Sequence, residues 1–292
     1  MFLPRPARVA AAVSLAVALS AVTACAPADE SDDEPDTSAS GSECSPENLQ
    51  TKRDGILTIG TDSPAYPPWF IDNDPSNGQG FESAVAYAVA EELGFSEDQV
   101  EWITVTFNNA IAPGPKDFDF DINQFSITEE RRNAVDFSSP YYDVRQAVIT
   151  VETSPIAGAT TLAELADARL GAQVGTTSYQ AITDLIQPNV EPSVFNTNDD
   201  ARQALENGTI DGLVVDLPTA FYMTSAELTN GIIVGQLPPL DGQQEQFGLV
   251  LDLNSPLTDC VSQAVDALRE NGTLAELEER WLGQTAGAPE LT

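Results

Sequence analysis

Between residues 56 and 282 short apolar strands alternate with amphipathic helical stretches, and this alternation limits the fold more than any other feature of the chain. Residues 56–60 are β-branched and run into a loop, 61–69, that carries three prolines. Phe81, Val85, Ala88/Val89 and Leu93 fall at helical spacing, and Gly94 supplies the stop. Residues 100–107 and 118–122 alternate apolar and polar positions as strands do. Further strands are expected at 147–151, 170–174, 212–215, 232–235 and 248–251. Helices are expected at 162–168, 178–186, 199–207, 217–224, 256–270 and 274–282. Strands alternating with helices imply an α/β protein with largely parallel sheets, because each parallel connection needs a crossover.

At 292 residues, with 42% hydrophobic and 20% charged positions, the chain is globular and long enough for one or two domains. Lys and Arg number 12 against 46 Asp and Glu, a formal net charge of −34. Such a chain repels phosphate backbones, which argues against a nucleic acid partner. There is no histidine, so histidine triads, histidine general bases and the commonest zinc ligand sets are excluded. Asp117, Asp119 and Asp121 imitate the odd-position acids of a calcium loop. Ile122 stands where such a loop needs glycine, however, and Thr128 where it needs a bidentate glutamate. Phe118 and Phe120 are better explained as the buried face of a strand.

Residues 1–24 read as a signal peptide: Arg5 and Arg8 precede an uncharged apolar run, 9–22, too short for a comfortable membrane span. Val22-Thr23-Ala24-Cys25 resembles the bacterial lipobox, which implies lipidation (palmitate) of Cys25 and anchoring on the extracytoplasmic face of the cell membrane. An ordinary signal cleaved near Ala24 or Ala26 is the alternative. The lipidated cysteine opens a tether over 25–50; its stretch 26–42 has no large apolar residue and cannot offset the entropy of folding. With Cys25 assigned to lipid, Cys44 and Cys260 remain. An even pair in an exported protein suggests a disulfide; two independent buried thiols are the alternative.

From about 57 to 283 the order of motifs resembles the family 3 extracellular solute-binding proteins, the polar-amino-acid receptors of ABC importers. The resemblance rests on Ile59-Gly60-Thr61-Asp62 with Tyr66-Pro-Pro-Trp69, on Gly80-Phe81-Glu82, and on Ser126-Ile127-Thr128-Glu129-Glu130-Arg131. It continues through Val135-Asp136-Phe137-Ser138-Ser139-Pro140-Tyr141-Tyr142, Val174-Gly175-Thr176-Thr177 and Asp211-Gly-Leu-Val-Val-Asp216. It closes on Asn271-Gly-Thr-Leu and Trp281-Leu282-Gly283. The fold implied is the type II periplasmic-binding-protein fold, two α/β lobes joined by hinge strands near 143–147 and 243–247. The first lobe would span 51–145 and 244–284, the second 146–243, with 285–292 as a tail.

The resemblance also assigns roles. Arg131 corresponds to the arginine that binds the ligand carboxylate, and a planar guanidinium suits that task through two parallel charge-assisted bonds. Its neighbour Arg132 reads as a surface charge. Ser126 and the backbone at Thr177 would complete the carboxylate cradle, and Asp216 matches the carboxylate that takes the ammonium. Tyr66 or Trp69 would lie against the ligand side chain, Trp69 having core packing as its alternative. Asp62 and Glu82 correspond to acids facing that side chain in receptors for cationic amino acids, although Glu82 also suits a helix start. Asn123 and Gln124 stand where relatives often carry small residues. The loop from Asp62 to Tyr66 is longer than in the histidine- and arginine-binding relatives, and Ala112-Pro-Gly-Pro115 should cut short a helix that relatives have near the cleft.

The implied protein is a monomeric binding protein without enzymatic activity, cofactor or metal. It captures a polar, possibly basic, amino acid between its lobes and delivers it to a permease. Three rivals stand beside it: a prephenate-type dehydratase on the same fold, a ligand-sensing subunit of a membrane receptor, and a purely structural lipoprotein.

Overall fold

The computed structural model describes residues 44–283 and 288–292. The expected signal peptide, Cys25 and most of the tether lie outside the described residues. Two mixed five-stranded sheets carry the fold.

In the first sheet β1 (Leu57–Thr61) pairs in parallel with β2 (Val100–Thr104) and with β3 (Phe120–Asp121). β12 (Val250–Asp252) returns antiparallel between β3 and β4 (Val135–Phe137). α1 (Phe81–Glu92) packs against α6 (Thr258–Glu270) and α7 (Thr273–Leu282) over one face. Leu57, Ile59 and Phe120 point into that core, whereas Phe107, Phe118, Phe125 and Val250 gather in a second cluster. α1 begins where Gly80 takes φ 97°, and a Cβ there would stand 2.4 Å from the Trp69 carbonyl oxygen, so the position requires glycine.

The second sheet has the order β10 (Gly231–Gln236), β6 (Gln146–Val151), β9 (Gly212–Asp216), β7 (Leu170–Gln173), β8 (Ser193–Phe195). The pairs β7–β8 and β7–β9 are parallel, while β6 runs antiparallel to both of its neighbours. Its inner strands β6, β9 and β7 bury both faces, and the period of two is visible in the packing. Val148 and Val214 enter one apolar cluster; Ala147, Ile149, Leu213 and Val215 enter the other. Between the sheets run β5 (Tyr142–Val144) and β11 (Glu245–Phe247), paired antiparallel with Val144 opposite Glu245. This is the two-lobed type II architecture.

The sheets are mixed and not largely parallel as the sequence suggests. The chain enters the second lobe on β6 and re-enters the first on β12, and both strands run against their neighbours. β2 also ends earlier than expected, because Phe107 opens a short helix, α2 (Phe107–Ile111), that stops just before Pro113. The expected helix at 162–168 is one 3₁₀ turn, Leu162–Leu165, held by a Thr161/Glu164 capping box. α3 (Thr177–Ala181) widens into a π turn, Ile182–Ile186, before Gln187 ends it at φ 52°.

The C-terminal residues do more than trail. Glu290 forms a bridge to Gln236, and Leu291, 3% exposed, is part of the second lobe's core although α7 ends in the first. Arg145 pairs with Glu290 at 2.9 Å. The chain therefore passes between the lobes a third time.

Cys44 and Cys260 are bonded, with Cα atoms 5.4 Å apart across a sequence separation of 216. Closing so long a loop removes much of the unfolded chain's freedom, worth about 2–5 kcal/mol. Replacing both cysteines by serine is expected to lower the melting temperature by about 5–10 °C, read by calorimetry under non-reducing conditions; an unchanged melting temperature would show that the crosslink contributes nothing.

Candidate functional site

A polar cleft lies between the lobes at the carboxyl ends of the parallel strands, where open α/β sheets place their ligands. The loop after β1 brings Asp62 and Tyr66, α2 brings Phe107, and the segment after β3 brings Asn123, Gln124 and Ser126. Arg131 opens a 3₁₀ turn, Arg131–Asn133. From the second lobe Thr177 enters at the start of α3 and Asp216 at the end of β9.

Arg131 is 9% exposed. Its guanidinium donates to the Ser126 carbonyl at 2.6 Å and, across the cleft, to the Gly175 carbonyl at 3.0 Å. It also stands 5.4 Å from the centre of the Phe107 ring. Burial lowers its pKa to about 10, so it remains a cation at neutral pH. Among the described residues no carboxylate lies within ion-pair distance of it. Arg132 differs: it is exposed, near Glu129 and over the Phe137 ring.

Asp216 faces the same cavity and accepts from Gln146 Nε2 at 2.7 Å, with no cation within ion-pair distance among the described residues. Burial, then the nearby Glu245 carboxylate, pushes its pKa up to about 8. Ser126, 2% exposed, is fixed by backbone pairing with the hinge strand, where Ile127 N–H donates to the Gln246 carbonyl at 2.8 Å. The Ser126 and Thr177 hydroxyls meet at 3.1 Å across the lobes.

At the other end of the cleft, Asp62 accepts from the backbone N–H groups of Ser63 at 2.7 Å and Phe107 at 3.0 Å. Tyr66 lines the wall, and burial with neighbouring Asp199 of the second lobe raises its phenol pKa. Asn123 and Gln124 line it too, Gln124 in the left-handed region at φ 48°.

Trp69 and Glu82 stand behind this wall and not in it. Trp69 is 1% exposed among Phe81, Tyr142 and Phe247, and its Nε1 donates to Thr219 Oγ1 of the second lobe at 2.9 Å. The fully buried Glu82 accepts from the backbone N–H of Gln124 at 2.7 Å, from the Gln124 side chain and from the Tyr141 hydroxyl. It holds the strained Gln124 in place, so it acts on the cleft through that residue. Sequence reasoning missed Phe107, which it placed at a strand end, and Gln146 and Glu245, which carry no motif. Asp119, one of the calcium-like acids, accepts from the backbone N–H groups of Lys52 and Thr58, both at 2.7 Å.

An interlobe cleft with an unpaired buried cation at one point and an unpaired carboxyl nearby defines a two-lobed binding protein for small solutes. The chain belongs to the bacterial extracellular solute-binding proteins, family 3, whose model matches residues 57–284. It is 26% identical over 234 residues to the L-arginine-binding protein of Pseudomonas aeruginosa, covering 78% of this chain and 88% of that one. It is also 26% identical over 237 residues to the L-cystine-binding protein TcyJ of Escherichia coli, covering 80% and 85%. Among solved structures, an ancestral arginine-binding protein bound to arginine superposes with a TM-score of 0.65 at 29% identity, covering 78% of this chain and 98% of that chain.

Burial raises the Glu82 pKa from 4.5 to about 7 against the hydrogen bonds from Tyr141 and Gln124, which lower it. Between those two pH values the folded chain binds more protons than the unfolded chain, so stability falls as pH rises and levels off above about 7. Glu82→Gln keeps the shape of the neutral acid, and the Gln124 amide can turn to meet it. The melting temperature of the variant is expected to fall less between pH 5 and pH 8 than that of the parent protein; equal slopes would show that Glu82 does not titrate there.

Proposed function

We propose that the protein captures a polar or basic amino acid between its lobes and hands it to the permease of an ABC importer. One observation carries this reading: Arg131, buried, and Asp216, half-buried, face one cavity, and neither has an ion-paired partner of opposite charge among the described residues. A buried charge without a counterion is costly, as Arg131 is, and a carboxyl whose pKa is raised for want of a nearby cation ionises when an ammonium arrives, so an α-amino acid zwitterion suits both. Arg131 takes the α-carboxylate with the Ser126 and Thr177 hydroxyls, and Asp216 takes the ammonium. Tyr66 and Phe107 supply aromatic surface for the side-chain stem, Asp62 supplies a carboxylate for a cationic head, and Asn123 and Gln124 supply amides that suit a neutral polar head. Relatives named for arginine and cystine support the amino-acid class.

In this reading the protein is a monomeric receptor and not an enzyme. Lipid on Cys25 anchors it to the outer face of the cell membrane, and the acidic stretch 29–36 keeps its tether off the anionic surface. The negative charge of the whole chain draws cationic solutes toward the cleft, less so as salt rises.

A thermal-shift screen against the proteinogenic amino acids, ornithine and citrulline tests the proposal. A ligand at about a hundred times its dissociation constant adds roughly 2.7 kcal/mol, which raises the melting temperature by about 5–10 °C. The expected rise comes with arginine, lysine, ornithine or glutamine and disappears in both Arg131→Ala and Asp216→Asn. A flat response to every amino acid would overturn the amino-acid reading.

A further inference from the structure

Glu245, on hinge strand β11, has no place in the ligand-binding scheme above, yet its carboxylate sits at the centre of that scheme's donors. Its Oε1 accepts from the Ser126 hydroxyl of the first lobe and from the Thr177 hydroxyl of the second, both at 2.6 Å. Gln146 Nε2 lies 3.2 Å from each of its oxygens. Each hydroxyl owns a single proton. With both protons given to Glu245, the 3.1 Å contact between the two hydroxyls carries no hydrogen bond of its own. Arg131, with no ion pair, feels Glu245 as the strongest of its carboxylate neighbours. Two hydroxyl donors from opposite lobes, beside a guanidinium, are the surroundings an amino acid's carboxylate would be given.

We propose that Glu245 is a tethered stand-in for the ligand carboxylate: it bridges the lobes through the Ser126 and Thr177 hydroxyls, and a solute bearing a carboxylate must displace it to be seated. The inference rests on the amino-acid reading for its second half only; the bridge itself is independent of any ligand. Because Glu245 lies in the register of the two hinge strands, opposite Val144, its displacement acts where the lobes turn. A bridge that must be given up for the ligand to be seated competes with that ligand for the same donors. A cationic amine without a carboxylate does not need the Ser126 and Thr177 hydroxyls, so it leaves Glu245 in place.

Hydrogen exchange on the full-length protein without ligand tests the bridge. Glu245→Gln, which keeps the side-chain shape, and Glu245→Ala should speed exchange in segments 123–131 and 173–181 by about tenfold or more, the loss of two charge-assisted bonds, and leave the sheet interiors unchanged. Titration with L-arginine and with agmatine, the same side chain without the carboxylate, tests the displacement. Both variants should bind L-arginine about tenfold more tightly and agmatine equally well. Unchanged exchange overturns the bridge. Faster exchange with weaker L-arginine binding overturns the displacement and makes Glu245 a direct acceptor for the ligand's ammonium. Faster exchange in a protein that binds neither probe leaves the bridge standing and counts against the basic-amino-acid reading instead.

Discussion

A guanidinium buried between two lobes without a carboxylate partner is the constraint around which the rest of this structure is arranged. Arg131 has given up most of its hydration, and two backbone carbonyls and one aromatic face replace only part of it. One carbonyl belongs to the first lobe and the other, Gly175, to the second, so the same side chain senses whether the lobes are together. The approach is close enough to dictate sequence: Gly175 takes φ 75°, and a Cβ there would stand 2.7 Å from Asn108 Oδ1 on α2. Phe107, at the start of that helix, stacks on Phe125 at 4.9 Å, which fixes the ring under the guanidinium. The short α2, ended by Pro113, thus serves the site directly.

The second organising feature is where the protein keeps its acids. Among the described residues most carboxylates are exposed or half-buried, while Glu82, Asp121 and Asp216 are enclosed near the cleft. Glu82 and Asp216 are pushed up to about 7 and about 8 chiefly by burial. Asp121 is pushed well above its usual range by burial and then by Glu82 and Asp62, and its carboxyl has no hydrogen-bond partner among the described residues. It packs directly against Gly60 of β1, where any larger residue would collide with it. These groups hold protons that surface acids release. Their neutrality lets a strongly acidic chain enclose a carboxyl-lined cleft without self-repulsion forcing it open.

The alternation of strands and helices was legible in the sequence because it follows from periodic signals, whereas the lobes, their order and the cleft's main charges were read from the resemblance to a family. The spacing of Phe81, Val85 and Val89 marks α1 from the chain alone, and the alternation through 147–151 and 212–215 marks the strands whose residues divide between two clusters. β4 and β8, three residues each, are too short to display any period, and their existence depends on neighbours far away in sequence. Sheet direction was illegible for the same reason: only the path through the hinge turns β6 and β12 against their partners. At the site, Arg131, Asp216, Ser126 and Thr177 were named from motifs, and they do converge on one cavity. Trp69 and Glu82 illustrate the limit of that method, since a motif locates a residue near the cleft without saying which side of the wall it occupies. Glu245 illustrates the opposite failure, a lone acid in Gln243-Gln244-Glu245-Gln246 with no sequence signal at all.

Motion between the lobes is constrained by more than the two hinge strands. Trp69 ties the first lobe to Thr219, Arg131 ties it to Gly175, and the C-terminal residues cross over to bury Leu291 and pair Glu290 with Arg145 at the start of β6. The first two ties are single hydrogen bonds, which water replaces at little net expense when the cleft opens. The third differs in kind, because Leu291 is packed in the second lobe's own core and its burial does not depend on the cleft being shut. A rotation that opens the cleft therefore carries Glu290 and Leu291 with the second lobe while α7 stays with the first. Opening thus has to break only the contacts at the cleft, the Glu245 bridge among them, and it is there that a small solute, contributing only a few contacts, can decide the balance between two states.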